Sequence, residues 1–188
     1  TRLLAEKNDN FVISISHTTR TPRHNEIEGK DYYFVSKEKF NKLINANCFI
    51  EYATVFNNLY GTMAKHVFEH LSNKKNVLFD IDWQGTEQIK RKKIDFKLIT
   101  FFILPPTSNE LKERLYNREK QDHLIINERM SQFKSDVLHW KDYDYVIINN
   151  KLEECYNEIN KIILSESKNI KFDFNKKKIE EKVKELIS

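Results

Sequence analysis

Two arginines stand three residues apart in a polar stretch near the start of the chain. Arg20 and Arg23 belong to the run Ser-His-Thr-Thr-Arg-Thr-Pro-Arg at residues 16–23, which directly follows the apolar residues 11–15. A guanidinium group presents paired donors that match the oxygens of a phosphate, and the ammonium group of lysine cannot copy that geometry. Pro22 stiffens the chain between the two arginines. The pattern predicts a phosphate site, with two solvated surface arginines as the alternative interpretation.

A single carboxylate, Glu51, interrupts the otherwise apolar residues 49–55. Burying an unpaired carboxylate is unfavourable, so this side chain needs a partner that donates hydrogen bonds. Guanine offers two parallel donors, its N1–H and its exocyclic amino group, and adenine lacks that pair. The sequence therefore indicates guanine recognition by Glu51. The alternative interpretation places Glu51 on the solvent face of an edge strand.

Three hydroxyl groups accompany this carboxylate. Tyr60 and Thr62 flank Gly61 in a predicted turn, and Tyr32 lies in a second short apolar run. Buried phenols often only satisfy hydrogen bonds inside a core, which is the ordinary interpretation of such residues. The three hydroxyls are candidates for a binding site on this pattern, with that structural role as the alternative.

Two further carboxylates, Asp80 and Asp82, end the apolar run that begins at residue 76. Open α/β sheets bind ligands at the carboxyl ends of their parallel strands. Side chains two apart on a strand share one face, so these carboxylates could hold Mg²⁺ through waters or accept hydrogen bonds from a base. The alternative is that Asp82 caps the following helix and does nothing more.

A second group of arginines comes later in the chain, at Arg114, Arg118 and Arg129. The first two are one helical turn apart and are expected to face the same way. Such positive charge is what a phosphoryl group needs while it is transferred. The alternative is a solvated helix face with acidic partners. Those candidate partners are Glu110, Glu113 and Glu119.

Apolar segments typical of strands alternate with helical patterns along most of the chain, which predicts an α/β fold with a parallel sheet. Residues 16 to about 72 differ and indicate a β-rich insertion. The predicted strands cover residues 11–15, 32–35, 49–55, 76–82, 98–104 and 145–148. The predicted helices include a short one capped by Ser36, then residues 64–71, 84–92, 107–118, 124–140 and 152–164, and an amphipathic tail with Ile179, Val183 and Leu186 on one stripe.

Composition narrows the class of protein. The chain has 188 residues and a formal net charge of +4, which favours an anionic small molecule and is weak support for nucleic-acid binding. Cys48 and Cys155 are predicted to be free thiols in a reducing compartment. His66 and His70 lie four apart but lack a third metal ligand. No apolar run has the length of a membrane span, so we expect a cytoplasmic protein without membrane or nucleic-acid partners.

Taken together, these motifs resemble the guanylate kinase family, in order from about residue 3 to about residue 165. The resemblance rests on the arginine loop at 16–23, Glu-Gly-Lys-Asp-Tyr at 28–32, Phe-Ile-Glu at 49–51, Tyr-Gly-Thr at 60–62 and Asp-Ile-Asp-Trp-Gln-Gly at 80–85. It implies a parallel-sheet P-loop kinase core with an inserted β-rich GMP-binding subdomain and a small helical lid. The implied core covers residues 1–15, 73–106 and 130–188, the subdomain 16–72 and the lid 107–129.

The resemblance also implies a role for each matching residue, with GMP and ATP as substrates and Mg²⁺ accompanying ATP. The GMP phosphate would be bound by Arg20, Arg23, Tyr32 and Tyr60. The guanine would be bound by Glu51 and Thr62, with Ser16 and Asp80 nearby. Asp82 would lie near the base and hold Mg²⁺ through water. The lid residues Arg114, Arg118 and Arg129 would reach the ATP phosphates, and Asn149 would lie near the adenosine.

One family feature has no counterpart in these residues. Active members begin with a strand and a glycine-rich P-loop that ends in Gly-Lys-Ser/Thr and positions ATP. The glycines here are Gly29, Gly61 and Gly85, and none has that context. We therefore expect these 188 residues by themselves to show little kinase activity.

Three alternatives remain beside a guanylate kinase. One is a non-catalytic guanylate-kinase-like module that binds protein partners, although such modules are expected to lose parts of both nucleotide sites. Another is a kinase for a different nucleoside monophosphate, which Glu51 and Thr62 disfavour. The third, a nucleic-acid-binding protein, rests only on mild positive charge. Monomer and homodimer are both compatible with the sequence.

Overall fold

The computed structural model describes residues 1–119, 122–170, 172 and 175–188. These residues form two compact units, Thr1–Phe96 and Lys97–Ser188. Each unit combines helices with a pair of parallel strands, which confirms the predicted α/β class. The finer division into core, GMP-binding subdomain and lid stays a prediction.

The first unit is built from short helices and strands. Its helices are α1 (Arg2–Lys7), α2 (Lys37–Asn45), α3 (Ala64–Ser72) and α4 (Trp83–Arg91), and its strands are β1 (Phe11–Ile13), β2 (His17–Thr18), β3 (Tyr33–Phe34), β4 (Phe49–Val55), β5 (Asn58–Met63) and β6 (Asn76–Leu78). Ser36 caps α2 as predicted, because its side chain accepts a hydrogen bond from the Lys39 amide at 3.2 Å.

Strands β1 and β6 pair in parallel, with Val12 opposite Val77. Both are shorter than predicted. Ser14 closes the ladder, since its amide and its hydroxyl both donate to the carbonyl of Leu78, at 2.9 and 3.1 Å. The prediction of a strand through residue 82 is therefore wrong, and Asp80 and Asp82 lie beyond the end of β6.

A four-stranded sheet has the order β3-β2-β5-β4, in which β5 is antiparallel to both of its neighbours. Strands β2 and β5 lie in stretches that the sequence predicted as loop and turn, so these two predictions are wrong. The β4–β5 hairpin turns at Phe56 and Asn57, whose φ angles are 48° and 61°. Asn58, predicted to be in the turn, already pairs with Val55. Positive φ at both central residues is the geometry of a tight hairpin turn.

A β-bulge lies at the start of β4. Phe49 pairs with Met63 and Glu51 with Thr62, so Ile50 is an extra residue in the ladder. Consequently three consecutive residues, 49 to 51, are buried, where a regular strand would expose the middle one. Bulges turn side chains to new directions and are common beside functional sites.

Helix α4 lies along the outer edge of β4. The side-chain amide of Gln88 donates to the carbonyl of Tyr52 at 2.7 Å, and its oxygen accepts from the Tyr52 amide at 3.1 Å. Gln84 donates to the carbonyl of Thr54 at 3.4 Å. These contacts hold α4 beside the strand that carries Glu51.

The second unit has its own parallel pair. Its strands are β7 (Phe101–Leu104) and β8 (Tyr145–Ile148), with Phe101 opposite Tyr145. We expected β7 to begin at residue 98. Instead the amide and hydroxyl of Thr100 donate to the Asp144 carboxylate at 2.8 and 2.7 Å, so a side chain takes the place of strand pairing there.

The helices of the second unit follow the predictions closely. They are α5 (Ser108–Arg118), α6 (His123–Asp136), a 3-10 helix (Val137–Asp142), α7 (Leu152–Ser167) and α8 (Lys176–Ile187). Thr107 caps α5 by accepting from the Glu110 amide at 3.0 Å. The predicted helix 124–140 changes from an α-helix to a 3-10 helix after Asp136. A 3-10 helix has three residues per turn, so the buried Val137 and Trp140 lie on the same side of it.

The tail helix α8 confirms its predicted apolar stripe. Ile179, Val183 and Leu186 are buried in one core cluster together with Val137 and Trp140. Across the part of the chain that the structure describes, no helix combines the length and the apolar character needed to cross a bilayer.

Candidate active site

The carboxylate of Glu51 is buried in the first unit, with 3% of the residue exposed. Although β4 is the last strand of its sheet, helix α4 covers this side chain. The alternative interpretation, a carboxylate on the solvent face of an edge strand, is therefore wrong. Thr62 pairs with Glu51 across the ladder, and its hydroxyl lies 3.1 Å from that of Ser16. The structure thus brings together three predicted guanine-site residues.

One oxygen of this carboxylate, Oε1, makes no hydrogen bond to the described residues. The other, Oε2, lies against Gly85 of α4. A Cβ atom on Gly85 would stand 2.5 Å from Oε2, which is closer than such atoms approach in proteins. Glycine at this position therefore leaves the space that the carboxylate occupies.

The surroundings of Glu51 favour its protonated form. Burial, and to a smaller extent the charge of Asp82, raise the pKa of the Glu51 carboxyl to about 7, although the hydroxyl and amide of Thr62 act in the opposite direction. A buried carboxylate with an open acceptor is stabilised by a ligand that donates to it. Perturbed acids of this kind are concentrated at functional sites.

The two arginines of the loop meet at one acidic side chain, Glu26. Arg20 donates through Nη2 to both carboxylate oxygens at 2.7 and 2.9 Å, and Arg23 Nη1 lies 3.3 Å from one of them. Arg20 also donates to the Tyr60 hydroxyl at 3.2 Å and to the Thr21 carbonyl at 2.7 Å. Because the Arg20 side chain is only 12% exposed, the alternative of two solvated arginines does not describe it.

The pKa values in this group reflect these contacts. Burial alone would raise the pKa of Glu26 and lower that of Arg20, but the ion pair outweighs burial in both cases. The pKa of Glu26 is therefore lower than is usual for a glutamate, and the pKa of Arg20 is higher than is usual for an arginine. Both groups are charged at neutral pH.

Tyr32 lies beside these residues, and we call the cluster of Arg20, Arg23, Glu26, Tyr60 and Tyr32 the arginine group. The Arg20 guanidinium lies 5.5 Å from the centre of the Tyr32 ring, and that ring lies edge-on to Tyr60 at 6.0 Å. Burial and the nearby charge of Asp80 raise the pKa of the Tyr32 phenol. Asp80 itself is exposed.

Strand β5 connects the predicted guanine-site residues to the arginine group. Tyr60 contacts Arg20, and Thr62 lies beside Glu51, so the two contacts are separated by a single residue of β5. Side chains two apart on a strand share one face and stand roughly 6 to 7 Å apart. Tyr60 and Thr62 therefore share one face of β5, with the Glu51 carboxylate of β4 beside Thr62 and the Arg20 guanidinium beside Tyr60.

Asp82 has a defined structural role. It is the N-cap of α4, accepting from the Gly85 amide at 2.9 Å through one oxygen and from Gln84 Nε2 at 2.9 Å through the other. The interpretation that Asp82 caps the following helix is therefore confirmed. Within the residues that the structure covers, no group of three or more acidic, histidine or cysteine side chains is arranged to hold a metal ion.

The second unit holds the remaining candidate residues. Arg114 donates to the Asn149 carbonyl at 3.0 Å and pairs with Glu110, which brings together two residues predicted on the ATP side. Arg118 and Arg129 both reach Glu119, at 2.9 and 3.3 Å. Two of the acidic partners named in the alternative interpretation are thus present.

Glu26 was missed by the sequence analysis, although it follows Arg23 by three residues, a spacing that permits contact across one turn. Gly85 belongs to the motif at residues 80–85, but nothing in the sequence shows that its missing side chain leaves room for Glu51. That relation joins two elements far apart in the chain, so only the structure reveals it.

Comparisons with known proteins identify the family of this chain. The family model for guanylate kinase matches residues 1–166. The guanylate kinase of Wigglesworthia glossinidia brevipalpis is 43% identical over 178 residues, which span 95% of this chain and 84% of that relative. The guanylate kinase of Baumannia cicadellinicola is 46% identical over 154 residues, covering 82% of this chain and 74% of that relative.

A solved structure gives the same result. The crystal structure of guanylate kinase from Anaplasma phagocytophilum superimposes with a TM-score of 0.70 and 35% sequence identity, covering 88% of this chain and 81% of that one. Sequence and fold therefore agree over most of the chain. On these findings the chain belongs to the guanylate kinase family.

Proposed function

We propose that this protein is a guanylate kinase, which transfers the γ-phosphoryl group of ATP to GMP, giving ADP and GDP. The observation that carries the proposal is the buried Glu51 carboxylate, which has an unpartnered oxygen beside Thr62 and Ser16. Guanine N1–H and the exocyclic amino group would donate to that carboxylate, and binding would favour its ionised form. Asp80 is proposed to assist at the guanine.

The GMP phosphate would lie at the arginine group on the same face of β5. There the guanidinium groups of Arg20 and Arg23 would donate to the phosphate, and the phenols of Tyr32 and Tyr60 would supply further donors. This places the two ends of the nucleotide at two sets of groups that β5 holds at a fixed spacing. Fixed spacing selects a base and a phosphate that belong to one molecule.

The ATP side of the reaction would use the second unit. Arg114, Arg118 and Arg129 are proposed to stabilise the charge on the transferred group, and Asn149 to lie near the adenosine. Such stabilisation and positioning do most of the work in phosphoryl transfer, without a covalent intermediate.

Mg²⁺ is the metal that ATP brings to such reactions, where it neutralises phosphate charge. Asp82 fits a contact through water, since each of its oxygens accepts one hydrogen bond and keeps a second lone pair. Mg²⁺ retains several waters when it binds to proteins, so a single carboxylate can contact the ion through one of those waters. Asp82 would thus orient a hydrated ion rather than ligate it directly.

The cellular setting is also a proposal. Cys48 and Cys155 are free thiols, which supports the reducing environment of the cytoplasm. We expect a monomer or a homodimer that binds neither nucleic acid nor membranes. The non-catalytic alternative gains no support, because the relatives named above are themselves guanylate kinases.

Calorimetric titration of this chain with GMP and with AMP tests the guanine assignment. We expect GMP to bind at least about 100-fold more tightly, because AMP leaves the buried acceptor without its donors. Glu51→Gln, which presents an NH₂ group toward the guanine donors, should remove most of that preference. Equal affinity for the two nucleotides, or a preference for AMP, would end the assignment.

A further inference from the structure

Glu26 lies at the centre of the arginine group. Its carboxylate accepts from Arg20 Nη2 through both oxygens at 2.7 and 2.9 Å, and its Oε1 lies 3.3 Å from Arg23 Nη1. The Glu26 side chain is 15% exposed. An acidic group this close to a proposed phosphate site either competes with the phosphate or orients its ligands.

Hydrogen bonds between Glu26 and the main chain distinguish these two roles. Glu26 Oε2 accepts from the backbone amide of Arg23 at 2.7 Å, and the Glu26 amide donates to the Arg23 carbonyl at 3.1 Å. Both bonds belong to one tight turn and neither depends on an arginine side chain. The carboxylate is thus fixed to the loop itself and would stay there when the guanidinium groups engage a ligand.

The contacts of Arg20 point the same way. Its guanidinium is held on three sides, by Tyr60 at Nε, by the Thr21 carbonyl at Nη1 and by Glu26 at Nη2. A guanidinium has five N–H groups and these contacts comprise four hydrogen bonds, so one N–H on Nη1 remains for a ligand. Without Glu26 the group would lose two of these four hydrogen bonds, both of them at Nη2.

We infer that Glu26 is a positioning residue, which holds the guanidinium groups of Arg20 and Arg23 in the orientation that receives the phosphate of the nucleotide. Glu26 acts through the arginines and does not touch the substrate. Pre-organised side chains lose less conformational entropy on binding, so affinity for the phosphate end rises although an acidic group stands beside it.

This inference rests on the proposed function, and its test separates the phosphate from the base. GMP and guanosine are titrated into the full chain and followed by NMR, which measures weak as well as tight binding. Guanosine has the same base and lacks the phosphate. In Glu26→Gln we expect the affinity for GMP to fall about tenfold and that for guanosine to stay unchanged.

Further variants exclude simple unfolding. Glu26→Asp restores the charge on a shorter side chain and should recover part of the affinity that Glu26→Ala loses. Glu69→Gln is a matched control, since it removes one exposed acidic group of the same unit, on α3. Thermal unfolding of each variant reports whether it folds, and Glu26→Gln, which keeps the shape of the side chain, carries the test if Glu26→Ala does not fold.

Each outcome has one meaning. Unchanged GMP affinity in Glu26→Gln would overturn the inference, and increased affinity would show that Glu26 competes with the phosphate. An equal loss for GMP and guanosine would assign Glu26 a structural role and also overturn it. A wild-type chain that binds neither ligand would instead contradict the proposed function.

Discussion

Arg20 of the first unit and Arg114 and Arg118 of the second unit all pair with carboxylates, but in different surroundings. In the first unit the side chains of Arg20 and Glu26 are 12% and 15% exposed, and both are tied to the loop backbone. In the second unit Arg114 and Arg118 are 41% and 51% exposed and pair with acidic residues of their own helix or its end. Buried, multiply bonded charges are fixed before a ligand arrives, whereas exposed pairs exchange with water and contribute little.

This difference indicates a division of work. The first unit offers a site whose charges are already placed, which suits selection of one nucleotide among similar ones. In the second unit, Arg114 and Arg118 are exposed enough to be redirected toward a different anion, whereas Arg129 is 17% exposed beside a Glu119 that is 8% exposed. The following predictions, from the largest expected effect to the smallest, challenge or refine that comparison.

The largest effect concerns Glu51 and stability. Its raised pKa means that between about pH 4.5 and 7 the folded chain holds a proton that the unfolded chain has lost. The free energy of unfolding should therefore fall as the pH rises through this window, by roughly 3 kcal/mol. Glu51→Gln cannot ionise and should lose much less stability over the same window.

Urea unfolding of both proteins at pH 5 and pH 8, followed by circular dichroism, measures this difference. Glu69→Gln should behave as the wild type does, because that side chain is 55% exposed. If Glu51→Gln and the wild type respond equally to pH, Glu51 is not the buried acid that the comparison requires.

Arg20→Ala should weaken GMP binding by about 100-fold, or about 2.7 kcal/mol, because it removes the fork and leaves Glu26 buried without its main partner. Arg20→Lys should recover little, since an ammonium group cannot reproduce the paired donors. Calorimetry with GMP measures both. Arg91→Ala, whose side chain is 74% exposed, is the matched control, and a similar loss there would refute a specific role for Arg20.

Gly85→Ala should weaken GMP binding by about 30-fold, because the new Cβ would displace the Glu51 carboxylate. Alanine is normally the better residue within a helix, by roughly 1 kcal/mol, so an effect of helix propensity would have the opposite sign on stability. A double-mutant cycle with Glu51→Ala separates the two effects. In that background, Gly85→Ala should cost almost nothing in binding, and a full additional loss would contradict the steric explanation.

The smallest effect is expected in the second unit. Arg118→Ala removes a half-exposed arginine from Glu119, which keeps its ion pair with Arg129, and should change the free energy of unfolding by less than about 1 kcal/mol. Its affinity for GMP should stay at the wild-type value. Urea unfolding and calorimetry on the same protein check both statements, and a loss of several kcal/mol would show that the second unit fixes its charges as firmly as the first.

Much of this molecule follows from local patterns in the sequence. Ser36 and Thr107 cap their helices as their side chains predict, and the tail stripe packs as its spacing requires, because caps and amphipathic faces depend on neighbours a few residues away. The strand lengths do not follow, since Ser14 and Thr100 end their ladders through side-chain bonds to distant partners. Hydrophobic runs show where a strand can form but not where its pairing stops.

The candidate site divides in the same way. Residue chemistry identified Glu51 and Arg20 as groups that need partners. It did not reveal the bulge at Ile50, which buries three successive side chains of β4. It also did not reveal that Glu26 accepts hydrogen bonds from the arginines. Both depend on register and on turn geometry, which a single sequence leaves open.

The contact between Gln88 and Tyr52 has a consequence for the behaviour of the protein in solution. An unpaired strand edge is a template on which a second molecule can add its own strand. Gln88 imitates a neighbouring backbone by offering one donor and one acceptor at the middle of the outer edge of β4. We expect these two hydrogen bonds to hinder self-association, and the fibrous aggregates that such pairing begins, along the edge of the strand that carries Glu51.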